Sequence, residues 1–238
     1  MKTDIIPSNI LNKKIEYKIV SQPNLEDEVY LLYVQDGKDY LEIGNIEKVY
    51  DELIQTFPSL SRKLVMVLIH PGDSLERWNS YHHQGRLFLD YIHFMYDELI
   101  PLVEHQLPTI SRRGLLGDSL AANISLHIAA KEPESWTHLL LQSAATSFQG
   151  LTDLASMKKR YPWKVYQTVG LKEDEFISPI TNEKLYILSR NRQLQDVLAS
   201  KGADVCYREQ DESHEWVFWK KDLQEALRFF IDKGASFH

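Results

Sequence analysis

Six consecutive apolar residues, Leu64-Val65-Met66-Val67-Leu68-Ile69, stopped by His70-Pro71-Gly72, constrain this chain more than any other feature. A strand without polar alternation has no solvent face, so it belongs in a sheet covered on both sides. Glu28 to Gln35, a more continuous apolar run ended by Asp36-Gly37, and Leu139-Leu140-Leu141 read the same way, as buried strands, while Lys164 to Val169 before Gly170 and Val205 to Glu209 read as further strands. Gly114 to Gly117 is a short strand ending. Lys14 to Val20 alternates apolar and polar residues, as a half-buried antiparallel strand does. Between these runs the apolar spacing turns helical, over Ile46 to Thr56, Leu87 to Gln106, Leu120 to Ala130, Asn182 to Lys201 and Val217 to Lys233. Gly202 suits the end of the fourth helix. The alternation predicts the α/β class, a mainly parallel central sheet with helices on both faces. A chain of 238 residues fits one such domain, 1–238. Ligands on such sheets sit beyond the carboxyl ends of the strands, which points to the loops after them.

Bulk properties narrow the function. The formal net charge of -7 disfavours non-specific nucleic-acid binding, and Arg112-Arg113 and Lys158-Lys159-Arg160 read as solvated surface. The single cysteine, Cys206, excludes a disulfide within the chain and fits a reducing compartment. Met1 to Pro7 lacks the apolar run of a leader, and no apolar stretch is long enough to span a bilayer. These features predict a soluble cytoplasmic protein with no nucleic-acid or membrane partner. No zinc-ligand spacing and no phosphate-binding glycine loop occurs, so no metal or cofactor is expected.

Leu115-Leu116-Gly117-Asp118-Ser119-Leu120-Ala121-Ala122 reads as strand, tight turn, helix. This is the context of the G-x-S-x-G nucleophile elbow of α/β-hydrolases, with Ala121 in place of the last glycine. Small residues two positions either side of the serine keep the turn uncrowded. The turn exposes the Ser119 hydroxyl at the start of a helix, where the Leu120 N–H can meet an oxyanion. The competing reading is a plain strand-to-helix turn capped by Asp118 or Ser119.

A serine hydroxyl needs a base that titrates near neutrality. His214, in Asp211-Glu212-Ser213-His214-Glu215-Trp216, lies between the last strand and the last helix and follows Ser119, the chain order of this fold. His127 and His138 fall in or beside regular elements, His82 and His83 follow an earlier strand, and His238 is terminal. The carboxylate that orients the base is expected after the strand ending at Gly170, in Leu171-Lys172-Glu173-Asp174-Glu175-Phe176. Glu173 and Asp174 are both candidates. If the loop is extended, its neighbouring side chains face opposite ways and only one reaches the ring.

With these pieces placed, the chain resembles the putative esterase family of α/β-hydrolases, which includes enterochelin-type siderophore esterases, the esterase D group and feruloyl esterases. The resemblance rests on Val34 to Tyr40, on Tyr96-Asp97-Glu98-Leu99-Ile100-Pro101, on the elbow, on Gln142-Ser143, and on Ser213-His214-Glu215-Trp216 with Trp219. Ser213 stands where relatives carry glycine. The family's Gly-x-x-acid spacing, counted from Gly170, favours Glu173. One extra loop residue would favour Asp174. The resemblance implies a serine esterase that cleaves a small-molecule carboxylic ester, of siderophore type or short-chain acyl type, through an acyl-enzyme. It also implies that Lys38 N–H is a second oxyanion donor. The loop His70 to Trp78 is expected to line the substrate pocket, with Arg77, Asp73, Tyr40 and Trp216 as candidate substrate contacts. Arg77 offers a planar fork for an anionic or catecholate-like group, or else forms a structural salt bridge. A thioesterase or an acyltransferase on the same triad, or a non-catalytic binding protein on the same scaffold, are the alternatives.

Overall fold

A computed structural model describes residues 3–232, which fall into two compact units divided between Leu115 and Leu116. The first unit holds β1 (Thr3–Ser8), β2 (Lys13–Val20), β3 (Glu28–Val34) and β4 (Leu64–His70), and most of β5 (Thr109–Asp118), in the order β1-β2-β4-β3-β5. β3 and β4 pair in parallel, from Tyr30 opposite Leu64 to Val34 opposite Leu68. From Val29 to Val34 and from Leu64 to Ile69 every residue is buried, as continuous apolar runs require. β2 runs antiparallel to β4 and buries Ile15, Tyr17 and Val20 while Lys14 and Glu16 face out. β1 carries no sequence signal of its own. It is a half-exposed strand antiparallel to β2, and Pro7, which has no N–H, is tolerated at such an edge.

Helices depart from the sequence reading in two ways here. The stretch read as a loop after β3 forms α1 (Gly37–Glu42), and α2 (Ile46–Thr56) follows. The stretch after β4 forms α3 (Ser74–Tyr81), opened by Asp73, whose carboxylate accepts from Leu75 and Glu76 N–H groups while Glu76 reaches back. The expected single helix from Leu87 to Gln106 is instead α4 (Phe88–Phe94), a wide π turn (Met95–Leu99) and α5 (Ile100–Glu104). Pro101 is the physical reason: it has no N–H to give and its ring crowds the carbonyl four residues back, so the preceding turn widens.

In the second unit, β6 (His138–Gln142), β7 (Lys164–Gly170) and β8 (Asp204–Gln210) follow the end of β5 in the order β5-β6-β7-β8. β6, β7 and β8 are parallel. The connecting helices are α6 (Ser119–Lys131), α7 (Phe148–Ser156) and α8 (Ile187–Ser200), and α9 (Trp216–Ile231) closes the unit. Tyr166 donates to Asp222 of α9 at 2.6 Å, whereas its neighbour Gln167 donates to Asn191 of α8 at 2.8 and 3.0 Å. Successive strand residues point to opposite faces, so α8 and α9 cover opposite sides of the sheet. α7, absent from the sequence reading, starts where the Ser147 hydroxyl accepts from Gly150 N–H. α8 starts at Ile187 rather than Asn182, because 176–186 closes into a small loop bridged between Ile177 and Lys184, with Asn182 and Tyr186 at positive φ. Lys233, expected in the last helix, and His238 lie outside the described residues.

α9 is anchored to the sheet through one buried carboxylate. Asp222 accepts from Tyr166, from Gln142 at 2.8 Å and from Gln210 at 3.1 Å. Asp222→Ala would leave the buried Tyr166 hydroxyl without its acceptor and remove one bond each from Gln142 and Gln210, and should lower unfolding stability by about 2 kcal/mol, read as a lower urea midpoint. Burial raises the Asp222 carboxyl above its usual value. The native state therefore holds this proton more tightly than the unfolded chain, and the carboxyl's contribution to stability declines as pH rises from the ordinary carboxylate range. A wild-type midpoint in the variant would contradict the anchoring role.

Candidate active site

The turn from β5 into α6 is forced by small residues. A Cβ on Gly117 would lie 2.4 Å from the Ala121 carbonyl carbon, so no side chain fits there, and Ala121 itself is fully buried. Ser119 is the first residue of α6 and adopts φ 48°, a left-handed conformation that a non-glycine residue holds only when its surroundings impose it. Its carbonyl accepts from Ala145 N–H at 3.0 Å, which ties the turn to the loop after β6. Leu120 is second in the helix, where backbone N–H groups have no acceptor within the helix.

His214 Nε2 lies 2.8 Å from Ser119 Oγ, and His214 Nδ1 lies 2.8 Å from Glu173 Oε2. The Glu173 side chain is wholly buried and that of His214 is 3 % exposed. The loops after β7 and β8 that bring them together are laced by backbone bonds, Leu171 N–H to Gln210 and Lys172 N–H to Glu212. Gly170 makes that approach possible, since a Cβ there would fall 2.3 Å from the Glu212 carbonyl oxygen. Phe176 packs 4.3 Å from the His214 ring, Trp219 meets it edge-on at 4.9 Å, and half-buried Trp216 meets Trp219 at 5.3 Å.

The neighbouring carboxylates are engaged elsewhere. The acid loop is not extended, because Glu173–Glu175 forms a single 3₁₀ turn. Asp174 accepts from the Ser189 backbone N–H at 2.9 Å and its hydroxyl at 2.5 Å, capping the start of α8. Glu175 pairs with Lys184, Asp211 with Lys172, and Glu212 with Lys221. Two further residues adjoin the chain of hydrogen bonds: Ser143 and Trp219. Their only sequence signal was the family-like Gln142-Ser143 and the second tryptophan after His214.

The remaining candidates lie in the first unit. Arg77 is ion-paired with Asp36, at 2.6 Å through Nε and 2.5 Å through Nη2, as a structural bridge would be. Both line a charged cleft of about 630 Å³ that also includes Lys38, His70 and Asp73. Burial pushes His70 below its usual pKa, and burial with the nearby His83 pushes His82 down to about 4. The Lys38 ammonium stands 4.0 Å from Glu42 on α1, and Asp73 is committed to the cap of α3. Tyr40, another candidate substrate contact, is fully buried in α1. Among the described residues no three His, Cys, Asp or Glu side chains gather as a metal site requires, and no helix is long and apolar enough to cross a membrane.

A family model described as "Putative esterase" matches residues 8–230. An uncharacterized protein of Bacillus subtilis strain 168, YjcH, is 28% identical over 202 residues, covering 84% of this chain and 83% of that protein. The enterobactin esterase FES of Shigella flexneri, solved in the presence of enterobactin, superposes with a TM-score of 0.78 at 21% identity. The match covers 96% of this chain and 58% of that one, so this chain spans little more than half its length. An IroE-like serine hydrolase of Shewanella oneidensis superposes with a TM-score of 0.73 at 18% identity, covering 95% and 78%. If Gly170 is what lets the two loops close, Gly170→Ala should lower kcat for ester hydrolysis by about 10-fold or more through misplacement of the Glu173–His214 pair. Unchanged kcat in a folded variant would mean the loops tolerate separation.

Proposed function

This chain belongs to the putative esterase family of α/β-hydrolases and is an esterase, and we propose that it cleaves small-molecule carboxylic esters through an acyl-enzyme on Ser119. The observation that carries this reading is the pair of 2.8 Å contacts that joins Ser119 Oγ, the two ring nitrogens of His214 and the buried Glu173 carboxylate. Ser119 Oγ attacks the ester carbonyl while His214 Nε2 takes its proton. Glu173 accepts from Nδ1–H, fixes the tautomer and offsets the positive charge that forms on the ring. The Leu120 N–H at the start of α6 supports the oxyanion. His214 then protonates the departing alcohol oxygen, and a water molecule, deprotonated by the same nitrogen, releases the acid and restores Ser119.

The substrate is assigned by class: a siderophore-type or short-chain acyl ester. The named activity of the enterobactin esterase neighbour supports the first. Phe176, packed on the imidazole, and Trp216, packed on Trp219, offer apolar contact to the acyl or alcohol group. Hydrolysis of a thioester, or transfer of the acyl group to another alcohol, would use the same residues. The single cysteine favours the reducing cytoplasm as the place of action.

Steady-state kinetics on an ester panel test the assignment. Ser119→Ala should lose about 10⁴- to 10⁶-fold in kcat, and Glu173→Gln about 10²- to 10⁴-fold. Asp174→Asn, which touches only the start of α8, should turn over near the wild-type rate. Normal turnover in Glu173→Gln, or a large loss in Asp174→Asn, would move the acid away from Glu173.

A further inference from the structure

We propose that Ser143 is a positioning residue that locks the Glu173 carboxylate in the rotamer from which it holds His214. The inference rests on the reading of Glu173 as the acid of the triad. Ser143 is fully buried, immediately after β6, and its Oγ lies 2.6 Å from Glu173 Oε1. Its backbone takes φ 52°, and its N–H donates to the Thr168 carbonyl at 2.8 Å.

Trp219 fixes the direction of the hydroxyl. Its indole Nε1–H lies 2.9 Å from Ser143 Oγ and can only donate. Ser143 Oγ therefore accepts from Trp219, and its own proton points at the carboxylate. Gly170 N–H donates to the same Oε1 at 2.8 Å. Two donors thus pin one oxygen of Glu173 and leave the other, Oε2, aimed at Nδ1 of His214. Without the hydroxyl, one backbone bond holds Oε1, and the carboxylate is free to turn about its last side-chain torsion, a broad and shallow one. The indole that orients Ser143 also packs edge-on to the His214 ring. One tryptophan thereby supports both ends of the Glu173–His214 pair.

Ser143→Ala removes the hydroxyl. Ser143→Gly removes it at a φ that glycine adopts without strain, so a folded variant is available even if alanine is not tolerated. Each is measured in wild-type and Glu173→Ala backgrounds, with far-UV circular dichroism to verify folding. Loss of a hydrogen bond to a charged group should lower kcat by about 10- to 100-fold with KM unchanged. In the Glu173→Ala background the same substitutions should cause no further loss, because Ser143 acts only through that carboxylate. An equal loss in both backgrounds, or wild-type kcat in Ser143→Gly, would overturn the proposal. Wild-type turnover in Glu173→Ala alone would instead remove the acid assignment beneath it, a different and recognisable failure.

Discussion

The second unit of this protein is organised around one buried carboxylate. Glu173 has no exposed surface, and a carboxylate in that position is tolerable only when its oxygens are satisfied. Ser143, Gly170 and His214 satisfy them. Each comes from a different strand end: Ser143 follows β6, Gly170 ends β7, and His214 follows β8. Burying Glu173 therefore requires three loops to converge, and the same requirement places the imidazole beside Ser119.

The polar support beneath is equally specific. Gln142, next to Ser143, donates to the Trp219 carbonyl at 2.9 Å and to Asp222. Gln210, which ends β8 before the histidine loop, donates to the same carboxylate. α9 is thus fastened to the strand ends on either side of the site, and Trp219 is held where it meets both Ser143 and His214. A partly satisfied network of this kind would cost more than an apolar core, so its members act as a set.

Much of this was legible in the sequence, for physical reasons. Continuous apolar runs have one stable use, so β3, β4 and β6 could be read directly. The elbow was readable because Gly117 and Ala121 are the small residues that its close packing demands. Short helices were not. α1 and α7 have too few turns for a period to stand out, and α3 was missed as well, although the structure shows Asp73 and Glu76 forming its capping box. The family-like spacing from Gly170 leaned to Glu173 without excluding Asp174, because which carboxylate meets His214 depends on a 3₁₀ turn that sends the two neighbours to His214 and to α8.

In the proposed mechanism Ser119 is a nucleophile made reactive by His214. Its most direct test is covalent labelling with a fluorophosphonate, followed by mass spectrometry of the tryptic peptide from Gly114 to Lys131. One phosphonyl group per chain is expected, on Ser119 and not on Ser125 of the same peptide, with labelling strongly slowed in His214→Ala. An adduct on any other serine, or labelling of Ser119 that is indifferent to His214, would contradict it.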